Sequence, residues 1–287
     1  MTRRTGSSLI ELLVALPLVA LVLALATALF LTQLRGASQA EARVEATRTL
    51  TQATQVLAHD LRAVAPSDLI AWSDTTVELD VAIAAGISCG APAADVVDVV
   101  LADAGGGGRW RASPEWGDRV VWAVPDGSPL GDASTDSLRA LRFLDAFANA
   151  PGACASSVLR GTETPVRFTL QSVVGADVPP PGVLVLVLRR IEWRAYRASD
   201  GEVWLGRRER RGGTWSVIQP AVGPLAAPVA RGLTLAVLRR DGHPASPVRA
   251  DAAWVQLQLR ARRPPASGVP VPRTDSISLR LALRGGD

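Results

Sequence analysis

The sequence predicts an α+β chain in which one long N-terminal helix is joined to an antiparallel, β-rich head. Three observations carry the prediction. Residues Leu9 to Leu31 are apolar apart from Glu11 and Thr27. Beyond Leu34, Val44, Thr47, Leu50 or Thr51, Thr54, Leu57, Leu61 and Val64 recur at the three-four spacing of a helix stripe. After Pro66 the chain breaks into short runs of strand-forming residues separated by Pro, Gly and Asp clusters, such as Pro125-Asp126-Gly127 and Asp200-Gly201.

The helix comes first in the chain. Gly36 is the only strong breaker between Leu18 and Ala65, and Pro66 ends the pattern. A single helix of about 57 residues, about 85 Å long at 1.5 Å per residue, is therefore expected, with residues 7–33 spanning a membrane and residues 34–65 amphipathic. About 20 apolar residues cross a hydrocarbon core, so the first half is long enough. Pro17 is expected to kink it mildly, which membrane helices tolerate. Arg3 and Arg4 hold the N-terminus in the cytoplasm and direct later residues outward. Glu41, Arg43, Glu45, Arg48, His59, Asp60 and Arg62 make the polar face of the second half.

Residues 66–287 form the head. Strands are expected at Thr76 to Ala84, Val96 to Ala102, Asp118 to Val124, Ser137 to Leu144, Val166 to Val174, Val183 to Ala198, Gly201 to Arg210, Trp215 to Gln219, Gly232 to Arg239, Ala252 to Arg262 and Ser276 to Arg284. Short turns favour antiparallel pairing, and a head of this size supports one core. Asp251 to Asp287 reads as a long hairpin with the Pro-rich stretch Pro264 to Pro272 at its tip.

Glu11 is the only charge between Ser7 and Gln33. A carboxylate costs roughly 2.5 to 3.5 kcal/mol at the centre of a membrane helix and less near the interface, so it calls for an opposite charge brought from outside the run. A short basic leader ending in Gly6, then Ser7-Ser8-Leu9-Ile10-Glu11 and a Leu-rich helix, resembles the prepilin signature of type IV pilins and type II secretion pseudopilins. The resemblance covers residues 3–31. It implies that residues 1–6 are a leader cut after Gly6 by a prepilin peptidase, that Ser7 becomes the N-methylated new terminus, and that Glu11 is the assembly acid, which meets the terminal amine of a neighbouring subunit. Ser7 departs from the Phe or Met usual at that position. A secretory signal peptide cut near Ala26-Thr27-Ala28 is one alternative, but the apolar run is long for one and Glu11 is out of place. A plain single-span anchor is another, and it accounts for neither Gly6 nor Glu11. The residues after Arg3-Arg4 lack the apolar context of twin-arginine export.

A looser resemblance extends into the head. Leu57-Ala58-His59-Asp60-Leu61-Arg62, Gly117-Asp118-Arg119-Val120-Val121 and Arg239-Arg240-Asp241-Gly242, with a closing strand ending at Leu283-Arg284, are similar to segments of the larger minor pilins and J-type pseudopilins. A pilin-like fold and a priming or tip role follow from the resemblance.

Cys89 and Cys154 lie in turn-like settings on the side placed outside the cytoplasm, where an even pair is expected to bridge; two buried free thiols are the alternative. No catalytic residue, metal site or cofactor is expected. His59 and His243 stand in no metal-ligand spacing. Gly105 to Gly108 lacks the Lys-Ser/Thr of a phosphate-binding loop. Asp95, Asp98 and Asp103, or Asp126, Asp132 and Asp136, match no calcium-loop pattern.

All 31 basic residues are arginines, and the net charge is +4. Arg189-Arg190, Arg207-Arg208 with Arg210-Arg211, and Arg260 with Arg262-Arg263 lie near Trp193, Tyr196, Trp204 and Trp215. They are read as solvent-facing; phosphate contact with base stacking is the nucleic-acid alternative.

The functional expectation is a structural subunit, not an enzyme, that primes or caps a type IV pilus or type II secretion-like filament. It is held in the inner membrane with its head in the periplasm before moving to the filament or cell surface. Its expected partners are the prepilin peptidase, other minor pilins or pseudopilins, the inner-membrane assembly platform, and membrane lipid before extraction. A membrane-anchored module that binds a ligand, a surface or DNA without polymerising is the competing class.

Overall fold

The computed structural model describes residues 9–93, 95–101, 112–124, 137–148, 154, 165–171, 178–227, 231–245, 251–263 and 274–284. A helix, α1 (Leu9–Leu61), and a 3-10 turn at Pro66–Asp68 precede the strands β1 (Leu69–Trp72), β2 (Thr76–Ala93), β3 (Val96–Leu101), β4 (Arg119–Val124), β5 (Ser137–Ala148), β6 (Pro165–Leu170), β7 (Leu184–Arg197), β8 (Val203–Arg211), β9 (Thr214–Trp215), β10 (Gln219–Leu225), β11 (Leu233–Leu238), β12 (Trp254–Arg262) and β13 (Thr274–Ala282). The long helix packed on a large antiparallel sheet is the α+β arrangement that the sequence predicts.

Helix α1 has 53 described residues, about 80 Å, and runs through both Pro17 and Gly36. It stops at Leu61, short of residue 65. The Arg62 amide donates to the Ala58 carbonyl at 3.1 Å and the Val64 amide to Leu61 at 3.3 Å, closing the last turn. Ala65, held extended before Pro66, cannot continue a helix.

Leu50, Leu57, Leu61 and Val64 of the expected stripe are buried, but its first part differs. Val44 is 67% exposed, and Thr47 and Thr51 face solvent. The residues that dock are Ala46, Thr49, Leu50, Ala53, Leu57, Ala58, Leu61 and then Val64. They lie over β10, β12 and β13. Alanine lets the helix backbone come close to the sheet, so Ala46, Ala53 and Ala58 join the contact, positions that a search for bulky apolar groups passes over.

Strand β7 organises the head. Along one edge it pairs with β2, from Thr76↔Arg194 to Ile87↔Leu184. Its other edge is divided: Val185 to Leu188 pair with β4, and Ile191 to Arg197 pair with β8. Because β2 also pairs with β3, β3 with β6, β6 with β5 and β5 with β4, these six strands close into an antiparallel ring. The inward side chains of the ring fill it, among them Val97, Val99, Val120, Trp122, Phe143, Phe168, Leu170, Val185 and Val187. Phe143 and Phe168 meet edge to face, 5.5 Å between centroids, a favoured aromatic geometry. The second half of β7 continues into the open part of the sheet, through β8 and β10 to β12, which is flanked by β11 and β13 and covered by α1.

Several strand bounds differ from those expected: β5 runs on to Ala148, and β6 ends at Leu170. β2 runs on to Ala93 because register shifts at Ser88/Gly90 and Gly90/Ala93 absorb its glycine, so Cys89 lies within a strand and not in a turn. The stretch Trp215 to Gln219 is divided between the ends of β9 and β10. β1 has four residues, too few for alternation to register. The predicted hairpin is present as β12 and β13, paired from Trp254↔Ala282 to Arg262↔Thr274, and its Pro264 to Pro272 tip lies outside the described residues except for its approach at Arg263. Cys89 and Cys154 form a disulfide, with Cα atoms 5.2 Å apart.

Candidate functional site

The first half of α1 is an apolar rod. From Leu12 to Leu34 its large side chains are all exposed, and the stretch from Glu11 to Leu34 extends about 36 Å, enough to cross a hydrocarbon core of about 30 Å. Its hydroxyls turn inward: Thr27 Oγ1 donates to the Leu23 carbonyl and Thr32 Oγ1 to Leu29, each at 2.7 Å, so neither presents an unsatisfied donor to an apolar surrounding. Glu11 is the one charge on this rod and lies in its first turns. Gly6 and Ser7, the expected cleavage pair, lie outside the described residues.

The second half of the helix is fixed to the head by polar contacts as well as the small-residue stripe. Trp193 Nε1, on β7, donates to Asp60 Oδ2 at 3.0 Å, and the Arg207 guanidinium lies 3.6 Å from the same carboxylate. Arg207 also stands over the Trp193 ring, 5.9 Å from its centroid. The Arg284 amide donates to the Val64 carbonyl at 2.9 Å, so the end of the closing strand holds the residue just past the helix.

An ion-pair cluster continues from there. Glu209 receives Arg207 and, at 2.8 Å, Arg211, and lies 3.5 Å from Arg189. Burial pushes the Glu209 carboxyl up, but Arg207 and Arg211 outweigh it and hold its pKa below the ordinary value. Arg189 is 1% exposed at its side chain; it grips Asp118 with two bonds of 3.1 and 2.8 Å and donates to the Ser113 carbonyl at 2.7 Å. Burial disfavours its charge, yet Asp118, with Glu115 and Glu209, more than offsets that and raises its pKa. A fork-shaped bidentate pair is the geometry in which arginine is held most firmly.

The motif Gly117 to Val121 thus has a structural use. Gly117 turns the chain at φ +94°, Asp118 receives Arg189, Arg119 pairs with Asp80, and Val120 and Val121 are buried. At Arg239 to Gly242 the Asp241 carboxylate accepts from the His243 amide at 2.9 Å and Gly242 adopts φ +84°, making a tight turn.

Several expectations are relocated. Arg189 is not a solvent-facing member of its cluster but a buried one. The alternation Val185, Val187, Ile191, Trp193 already places it on the inner face; only its carboxylate partner, 71 residues away, was invisible. Asp98 is bound by Arg167 at 2.7 and 2.9 Å. Asp103, Asp126, Asp132, Asp136 and Gly105 to Gly108 lie outside the described residues. His59 lies in the last turns of α1 and His243 in the turn after β11. Asp60 and Trp193 as a pair, and Asp80 as a shared carboxylate, carry no local sequence signal.

Comparison with protein-family models, curated proteins and solved structures gave no match.

Proposed function

We propose that this chain is an assembly subunit of the minor pilin or pseudopilin type, which primes or caps a type IV pilus or a type II secretion-like filament. One observation carries the reading: a single helix whose first half is an exposed apolar rod with one acid near its start, and whose second half is fastened to a β-rich head. Exposed apolar surface of this extent needs lipid or neighbouring helices to cover it. A filament core of packed helices supplies the second, and the move from lipid to that core is what assembly accomplishes. In this reading the prepilin peptidase cuts after Gly6, Ser7 is methylated, and Glu11 receives a neighbour's terminal amine, setting the axial step between subunits. The partners are other minor pilins or pseudopilins and the inner-membrane platform, and the head lies in the periplasm before extraction.

The test is a strain lacking this chain, complemented with variants at matched protein level. Glu11→Ala is expected to leave insertion and cleavage intact, since it makes the rod more apolar, while filament number or secretion falls. Mass spectrometry of the isolated protein is expected to find Ser7 as a methylated terminus, and Gly6→Val to retain the leader. Full complementation by Glu11→Ala, with an intact Met1 in the native protein, would favour the membrane-anchored binding module that does not polymerise.

A further inference from the structure

A cavity of about 310 Å³ opens on the outer wall of the head, at the fork where β4 and β8 part from the divided edge of β7. It is lined by the arginines Arg119, Arg142, Arg190 and Arg210, by Asp80, and by the ring of Trp116. Register explains the convergence. Arg119 on β4 lies directly opposite Arg142 on β5, and Arg190 on β7 lies opposite Asp80 on β2. Like charges facing each other across an antiparallel pair are destabilising by themselves.

Asp80 relieves only part of this charge. Its buried carboxylate is shared, one oxygen taking Arg119 and the other Arg190 at 3.1 Å, and Arg190 also reaches Glu78 at 3.5 Å. Among the described residues neither Arg142 nor Arg210 has a carboxylate partner; Arg210 donates only to the Gly213 carbonyl, at 3.2 Å. Among the described residues the wall therefore holds two guanidinium groups without a carboxylate partner, beside the remaining N–H groups of Arg119. Trp116 closes one side. It is 53% exposed and lies where a side chain at Gly213 would stand, since a Cβ there would come within 2.7 Å of the ring.

We infer that this fork binds a phosphate monoester of a sugar that also bears a planar base, the chemistry of a nucleoside 5′-monophosphate. A dianion with three terminal oxygens matches two uncommitted guanidinium groups and a third with donors to spare, whereas a single carboxylate leaves charge unmatched. The volume of about 310 Å³ admits the phosphate and its sugar, and the half-exposed Trp116 offers the base an aromatic surface to stack on. The inference is independent of the filament reading, because it rests on the head alone.

Calorimetry on the full chain in detergent micelles, at constant ionic strength, tests it with four probes: inorganic phosphate, a nucleoside 5′-monophosphate, the unphosphorylated nucleoside, and a short single strand bearing a 5′-phosphate. The monophosphate is expected to bind most tightly of the small probes, inorganic phosphate more weakly, and the nucleoside not at all. Tight binding of the 5′-phosphorylated strand would identify a nucleic-acid end as the source, and its exclusion a free nucleotide. Arg142→Gln and Arg210→Gln are each expected to weaken the monophosphate about tenfold. Arg139→Gln, an exposed arginine on the same strand outside the cavity, is expected to change nothing. Trp116→Ala is expected to weaken the nucleotide and spare inorganic phosphate. A phosphate-dependent rise in the wild-type melting temperature gives a readout that needs no variant. No saturable binding by either phosphate probe up to about 10 mM, or unchanged affinity in the Arg142→Gln/Arg210→Gln double variant, would overturn the assignment.

Discussion

Asp60 and Trp193 join the end of the helix to the head. Asp60 takes a bond from Trp193 Nε1 and lies beside Arg207, so replacing it with Asn keeps an acceptor but removes the charge that attracts the guanidinium. Asp60→Asn is expected to cost about 1 kcal/mol in equilibrium unfolding, and Asp60→Leu more, since it strands the indole N–H of the buried Trp193. Glu209 is one of the carboxyls that shape the response to acid. With its folded-state pKa held below the ordinary glutamate value, its contribution is present above the unfolded-state pKa and is lost as pH falls through the lower folded one. The melting temperature should therefore drop below about pH 4, and Glu209→Gln should lower it at neutral pH while flattening that acid limb. Asp68 acts in the opposite sense: burial pushes its carboxyl up, so its ionisation works against the fold as pH rises. A melting profile of Glu209→Gln that keeps the wild-type acid limb would show that other carboxylates govern it.

At the scale of elements, the stripe on α1 makes the sharpest prediction. Ala53 is wholly buried in the small-residue contact between helix and sheet, so Ala53→Leu should overpack it and destabilise by about 1 to 3 kcal/mol. Val44→Ala, on the exposed face, should leave denaturant midpoints unchanged in the isolated subunit. The elements were largely legible. The helix, its stop before Pro66, and the β12–β13 hairpin follow from periodicity and breakers. What escaped was governed by partners distant in sequence. A stripe of alanines carries little hydrophobic signal until a sheet lies against it, β2 continues through glycine because its neighbours supply the register, and Arg189, on the inner face by alternation, shows no partner until Asp118 folds back onto it. Of the proposed assembly site, Glu11 and the apolar rod were evident from composition alone. The arginine-lined fork was not, since its members come from four strands and become neighbours only through pairing.

For the whole molecule, the Cys89–Cys154 bridge ties β2 to the segment between β5 and β6, two parts of the closed ring. With a separation of 65 residues, it should stabilise by about 4 kcal/mol in the loop-entropy description. Reduction, or Cys89→Ser with Cys154→Ser, should lower the melting temperature of the full chain in micelles by several degrees; an unchanged transition would mean that the ring closes without it. The divided edge of β7 has a mechanical meaning as well. A pull on the helix reaches the sheet through its packing on β10, β12 and β13 and also through Asp60 and Trp193, the latter on a strand hydrogen-bonded along both margins, β2 on one side and β4 then β8 on the other. That strand cannot peel away as an outer one would, so the part of the tension that passes through Trp193 is shared between the ring and the open sheet.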